Sequence, residues 1–413
     1  RCAGRRAAAA SIDPREMKRA ARGCALASAT VVLAVAAGLV GLELYFRGPG
    51  AGSLGIAGEM RGLYENDGAG SIRTVAGFRA PMIVEGRTTQ IRINAIGLRG
   101  PEVAAKAAGE RRVLVLGDSM VFGIGVEDEE TFPARLAQRL SRSLGVPVTG
   151  GNAGMPANGT LDQVRDLRRH LPTFAPDVVV TCVYLWNDFD DDVFGPREVV
   201  EGYSFGTAGA RFVKSSWRAR LALRSRVALR LEMLLADKLP SLAIDRSPIA
   251  PTPEEAARAD GLPDDRSGGI FLDVAEVTPP MARALDRVES AVRQIRDLAR
   301  PSEVVCAVLP AWIHVLPGAY EAQVRAMGLD PSEHRLGRVQ ERLAERCARE
   351  GVPCVDLAPS MRQRPDVRSL YFPADRHLTV AGHEHVAGVL EPIVRERLET
   401  LDRSARPATM GSR

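Results

Sequence analysis

A chain of 413 residues in which 45% of side chains are apolar holds enough material for one large domain with insertions, or for two domains. Its 55 basic and 51 acidic side chains leave a net charge of +4, too weak a field to favour nucleic acid as a partner. None of the six cysteines forms a Cys-x-x-Cys pair, which argues against a structural zinc site. No glycine-rich loop carrying a lysine is present to cradle a phosphate, so neither a metal nor a nucleotide cofactor is expected.

Residues 1–24 are read as a cytoplasmic segment, with Met17 opening a basic stretch and residues 1–16 carrying no function that can be named. Ala25 to Leu42 is an uncharged apolar run at the length needed to span a bilayer, and the anchor is placed at 25–46, ending on the interfacial Tyr45 and Phe46. Arg15, Lys18, Arg19 and Arg22 precede it, which orients the N-terminus inward and the rest of the chain outside the cytoplasmic membrane, in the periplasm. A cleavable signal peptide is the rival reading, because Ala34-Val35-Ala36 has the form of a small-residue cleavage site.

Residues 47–80 read as a linker, Gly-rich at its start. Ile83 to Asn94 suggests a pair of short strands ahead of a main domain at 81–401. From Arg112 onward, β-branched runs (Val113–Leu116, Val146–Val148, Val178–Tyr184, Val304–Leu309, Val352–Leu357) alternate with helical stretches near 131–143, 161–171, 282–299, 335–349 and 380–401. That rhythm predicts a three-layer α/β/α domain around a five-stranded parallel sheet. Residues 189–280 interrupt it as an insertion; its basic amphipathic stretch Lys214–Lys238 reads as a solvated helix packed on the domain, with a lid or membrane-surface helix as the alternative. Residues 402–413 are read as a disordered tail.

Ligands in open parallel sheets bind at the carboxyl ends of the strands, so the residues after each run matter most. Gly117-Asp118-Ser119 follows the first, Asn152 to Thr160 the second, Leu185-Trp186-Asn187-Asp188 the third, and Asp375-Arg376-His377 comes after the last. A serine hydroxyl needs a base to take its proton, and His377 is suited to that near neutrality. Asp375 can accept from the other ring nitrogen. Donors set at the developing oxyanion supply the remaining requirement.

These blocks resemble the SGNH/GDSL hydrolase superfamily, with its flavodoxin-like fold, and Asn94-Ala95-Ile96-Gly97-Leu98-Arg99-Gly100-Pro101-Glu102 resembles a segment found ahead of the GDS strand in membrane-anchored bacterial members. The resemblance implies that Ser119 is the nucleophile, His377 the base and Asp375 its orienting acid. It also implies an oxyanion hole built from the Ser119 and Ala157 N–H groups and the Asn187 amide. Ala157 stands where the family carries Gly, the acid and base are spaced Asp-x-His, and Leu185-Trp186 replaces the usual Gly before the Asn.

The implied activity is hydrolysis of an O-acyl ester on a glycan, lipid or small molecule through an acyl-enzyme. Transfer of the acyl group to an envelope polysaccharide, and a catalytically silent envelope-binding scaffold, are the alternatives. Three further features stay open at this level. Asp188, Asp190, Asp191 and Asp192 read as a solvated acidic loop or a cation site, Trp186 and Trp312 as pocket lining or core, and Cys347 and Cys354 as a disulfide pair or free thiols. His383 and His385 read as helix surface or packing rather than as metal ligands with His377.

Overall fold

The computed structural model describes residues 14–47, 60–68, 70–189, 192, 197–244 and 269–405. Contacts divide the chain into two compact units, Arg1–Gly52 with Val213–Ser247, and Ser53–Phe212 with Pro248–Arg413. Each is described over its described residues.

The first unit is helical. Helix α1 (Pro14–Arg47) contains Ala25–Phe46, long and apolar enough to cross a bilayer, with most of its side chains exposed and none fully buried. The rest of the unit includes two helices from the expected insertion. The basic stretch Lys214–Lys238 is no single helix: it is interrupted at Ser216 and at Ser225, and its two longer pieces group with α1.

The second unit opens with strands inside the expected linker. β1 (Tyr64–Asn66) pairs antiparallel with β2 (Ile72–Thr74), and the folded part begins ahead of residue 81 because Leu63, Tyr64 and Ile72 are buried. A hairpin follows, β3 (Arg79–Val84) and β4 (Arg87–Arg92), turning at Glu85-Gly86, both at positive φ.

The main sheet then forms from β5 (Arg111–Gly117), β6 (Val148–Gly154) and β7 (Val178–Tyr184). A small hairpin, β8 (Arg197–Val200) and β9 (Tyr203–Gly206), intervenes before β10 (Glu303–Leu309) and β11 (Cys354–Asp356) complete it. The order is β11-β10-β7-β5-β6, and every pairing is parallel. After the four-residue turn of helix α2 (Ser119–Phe122) come α3 (Phe132–Leu144) and α4 (Thr160–Phe174). The helices Trp217–Arg224 (α5) and Arg226–Lys238 (α6) belong to the first unit; α7 (Pro279–Ala299), α8 (Arg338–Arg349) and α9 (Val380–Ala405) belong to the second.

Two apolar clusters fill the faces of the sheet. One carries Val113, Val180, Phe132 and Leu390, and the other Leu114, Val179, Phe174 and Val292, so alternate residues of β5 and β7 point to opposite layers. This is the expected three-layer α/β/α arrangement of a five-stranded parallel sheet.

β6 departs from its expected limits. It runs through Thr149-Gly150-Gly151-Asn152-Ala153-Gly154, where no β-branched run exists. The glycines are steric necessities. A Cβ on Gly150 would meet the Pro133 carbonyl oxygen at 2.6 Å, and one on Gly154 the Phe122 nitrogen at 2.2 Å. Asn152 is accordingly a strand residue.

Cys347 and Cys354 are free thiols in the structure, and they meet Cys306, which pairs in register with Cys354 across β10 and β11. The three sulfur atoms lie within 4.8 Å of one another.

Candidate active site

β5 sits between β6 and β7, so the loops leaving all three open on one rim of the sheet. The first carries Ser119. Gly117 is held to a residue without a side chain, since a Cβ there would lie 2.2 Å from Val121 Cγ2. Asp118 caps the following turn, its Oδ1 accepting from Met120 N at 2.9 Å. Ser119 is left partly exposed at the start of α2, above the buried Met120, Val121 and Phe122.

The Ser119 hydroxyl lies 2.8 Å from His377 Nε2, and His377 Nδ1 lies 2.7 Å from Asp375 Oδ1. A tautomer protonated on Nδ1 donates to the carboxylate and leaves Nε2 to accept from the serine. Ser119 Oγ also stands 3.4 Å from Asp118 Oδ2, a longer contact than that to the imidazole.

Local backbone makes the Asp-x-His spacing work. Arg376 adopts φ +71°, and this left-handed step folds the turn so that the side chains on either side of it meet. The loop is closed by Phe372 N donating to His377 O and Arg376 N donating to Phe372 O, at 2.9 and 3.1 Å. Glu85 holds it from the β3–β4 hairpin, its Oε1 accepting from Ala374 N at 2.6 Å and Asp375 N at 2.8 Å.

The second loop carries Ala157 at φ +65°, a conformation that suits Gly and costs a residue with a Cβ about 1–2 kcal/mol. The backbone has therefore kept a glycine-like course although the residue is Ala. Its position is fixed on both sides: Asn158 Nδ2 donates to buried Asp166 at 2.7 Å, and Gly154 packs against the backbone of α2. Among the described residues, no acceptor engages the N–H of Ser119 or of Ala157. Asn187 lies half-buried in the turn that leaves β7, on the other side of β5.

Two residues that support the loops of Ser119 and His377 escape a reading of the sequence alone. Arg99, buried, sends Nη1 to the carbonyls of Phe122 (2.6 Å) and Gly123 (2.5 Å), Nη2 to that of Val126 (2.6 Å), and Nε to Asp128 (2.9 Å). Burial pulls its pKa down and the Asp128 carboxylate pushes it back up. Glu85 is the second. Arg99 sat within the segment singled out for its resemblance, but its targets lie 23 to 29 residues away.

The other candidates take structural places. Asp188 is buried and accepts from Tyr184 N at 2.9 Å, while Asp192 accepts from Leu161 N at 2.8 Å and from the Thr160 hydroxyl at the start of α4. Both serve the backbone where a solvated loop was expected; Asp190 and Asp191 lie outside the described residues. His383 is buried and accepts from Phe132 N at 3.1 Å, and burial, followed by the charge of Arg99, holds its pKa down at about 3. His385 faces Ser360 at 3.0 Å. Trp186 and Trp312 are half-buried with ring centroids 6.4 Å apart, and the Arg376 guanidinium stacks 4.5 Å from the centroid of Trp312.

No family model matches the chain, and no curated protein matches it. Solved structures do. A lipase/acylhydrolase from Enterococcus faecalis is 13% identical, covering 70% of this chain and 96% of that one at a TM-score of 0.36. A lipolytic protein of the G-D-S-L family from Desulfitobacterium hafniense is 11% identical over 68% and 98%, with a TM-score of 0.33. An acetylxylan esterase from Geobacillus stearothermophilus is 14% identical over 68% and 92%, with a TM-score of 0.32. At these levels the chemistry has to be argued from the side chains of this chain.

Proposed function

We propose that this chain is a serine ester hydrolase of the SGNH/GDSL type, anchored in the cytoplasmic membrane by α1 with its catalytic unit on the outer side. The observation that carries the reading is the hydrogen-bonded run Ser119 Oγ, His377 Nε2, His377 Nδ1, Asp375 Oδ1, with separations of 2.8 and 2.7 Å. Both are hydrogen-bond distances, and the first lies within the reach that proton transfer from Ser119 to His377 requires.

In the reaction, Ser119 Oγ attacks the ester carbonyl carbon while His377 Nε2 takes its proton. Asp375 holds the ring and stabilises the imidazolium. Charge forms on the former carbonyl oxygen, where the unengaged N–H groups of Ser119 and Ala157 and the amide of Asn187 are the proposed donors. Collapse breaks the ester C–O bond, and the alcohol leaves with the proton from His377. Water then gives a proton to His377 and attacks the acyl-serine, and the acid is released as Ser119 regains its hydrogen.

Ala157 does not favour a silent scaffold, because the backbone keeps the left-handed course that a glycine would take there. The outward placement of the catalytic unit is supported by the basic residues ahead of the apolar span. The substrate class is an O-acyl ester of an envelope glycan, a lipid or a small molecule. Turnover of an aryl acetate by the full chain, compared with Ser119→Ala and His377→Ala, tests the reading. Loss of activity in both variants is expected; retention by Ser119→Ala would overturn it. Adding an oligosaccharide separates hydrolysis, which yields free acetate, from transfer, which yields acetylated sugar.

A further inference from the structure

Helices α5 and α6 show an inverted surface. Beyond the small Ala219 and Ala222, the side chain that these two helices bury is a carboxylate, Glu232, 8% exposed, whose Oε1 accepts from Arg218 Nη2 at 2.7 Å and whose Oε2 accepts from Ile244 N at 3.1 Å. What the pair shows is Trp217, Leu221, Leu231 and Leu234, at 68%, 48%, 52% and 55% exposure. Those values fall in the range of the bare side chains of α1, such as Leu39 at 51% and Leu44 at 67%. An isolated exposed leucine needs no explanation, but a row of them on two consecutive helices does.

The spacing sorts the exposed face further. Trp217, Arg220, Leu221 and Arg224 fall at i, i+3, i+4 and i+7 of α5, and Leu231, Leu234 and Lys238 at i, i+3 and i+7 of α6. From Val213 to Ile244 the sequence carries seven Lys and Arg against two Asp and Glu. Apolar and aromatic side chains flanked by cations describe a helix lying in a bilayer interface, with anionic headgroups around the basic groups.

The level at which these helices sit is set by Glu43, near the end of the apolar span Ala25–Phe46. Glu43 Oε1 accepts from Arg226 N at 3.0 Å, and Oε2 from Val227 N at 3.1 Å and Ser225 Oγ at 2.8 Å. A carboxylate on the anchor thus caps the start of α6. Alongside, the Arg230 guanidinium lies 4.7 Å from the centroid of the Phe46 ring.

We infer that α5 and α6 form a platform embedded in the outer-leaflet interface, fastened to the exit of the anchor through Glu43 and occupied on its exposed face by lipid. The inference rests on the reading of α1 as a membrane anchor. It adds a second, in-plane attachment, which holds the chain at the membrane surface where acylated lipids and glycans are presented.

The test uses the full chain reconstituted in vesicles containing phosphatidylglycerol and acyl chains brominated either near the headgroup or at mid-chain. The difference in fluorescence between wild type and Trp217→Phe isolates the Trp217 emission. That emission is expected to be quenched, more by bromines near the headgroup than at mid-chain, and to recover in Leu231→Glu/Leu234→Glu while the protein still floats with the vesicles. A chain that floats yet leaves Trp217 unquenched overturns the platform and leaves the anchor standing. Cross-linking between copies through Cys introduced at Leu231, with Trp217 unquenched, assigns the face to a second copy and also overturns it. A chain that is released by alkaline carbonate overturns the anchor reading itself.

Discussion

Arg99 Nε donates to Asp128 Oδ1 at 2.9 Å, and both side chains are buried directly behind the turn that presents Ser119. Arg92 reaches the other oxygen of the same carboxylate at 2.7 Å from a more exposed position. The guanidinium of Arg99 also gathers the carbonyls of Phe122, Gly123 and Val126 that follow the Ser119 turn, so the pair supports the height of Ser119 over the sheet.

Replacing Arg99 by Met is expected to destabilise the fold by about 3–5 kcal/mol, because the buried Asp128 loses its buried partner and is left with only the outer one. Equilibrium unfolding in urea measures this. Arg99→Lys keeps the charge but not the planar fork, and should fall between the two.

Glu85 is expected to act through the acid and base loop without touching substrate. Glu85→Ala frees the N–H groups of Ala374 and Asp375 and should lower kcat by about tenfold with KM little changed, the loss of order 1 kcal/mol for a misplaced catalytic group. Glu85→Gln retains an acceptor oxygen and should stay close to wild type. Equal losses in both variants would contradict a positioning role.

At Ala157, the left-handed backbone makes a sharp distinction among substitutions. Ala157→Gly should keep kcat within a factor of about two, since Gly adopts this conformation freely. Ala157→Val places a β-branched residue where φ is positive and should disturb the proposed N–H donor, lowering kcat by up to about 10²-fold. Steady-state kinetics on an aryl acetate reads both.

His383 supplies a pH-dependent term. Burial holds its folded pKa at about 3, below the ordinary value near 6.5, so its contribution is full above pH 6.5. As pH falls through 6.5 the unfolded chain takes up a proton that the folded chain refuses until about pH 3. Stability is lost over that window, by at most about 1.4 kcal/mol per pH unit for one proton. His170, held down at about 4, adds in the same direction, whereas Asp166 and Asp273, pushed up to about 6 by burial, act against it. Thermal unfolding of His383→Asn beside wild type between pH 7 and 4 isolates the first term, and the variant should show the shallower decline.

The strands legible in the sequence were the ones buried on both faces. β5, β7 and β10 present continuous apolar runs because helices cover both sides of the sheet. β6 was cut short because its glycines record the approach of Pro133 and α2, a tertiary constraint that no periodicity reports. At the site, Ser119, His377, Asp375, Ala157 and Asn187 stand out in the sequence because each lies in a recognisable block beyond a strand, and the fold joins the first three by hydrogen bonds. The left-handed residues Ala157 and Arg376 were hidden, since neither is a Gly or an Asn. Glu85 and Arg99 act on partners far along the chain, and only the fold brings them there.

The central claim is that Ser119 is a nucleophile activated by His377. The most direct measurement is intact and peptide mass spectrometry after exposure of the full chain to a fluorophosphonate. A single phosphonyl adduct mapping to Ser119, abolished in Ser119→Ala and strongly slowed in His377→Ala, is the predicted result. An unlabelled wild-type protein, or an adduct that persists in Ser119→Ala, would contradict the account.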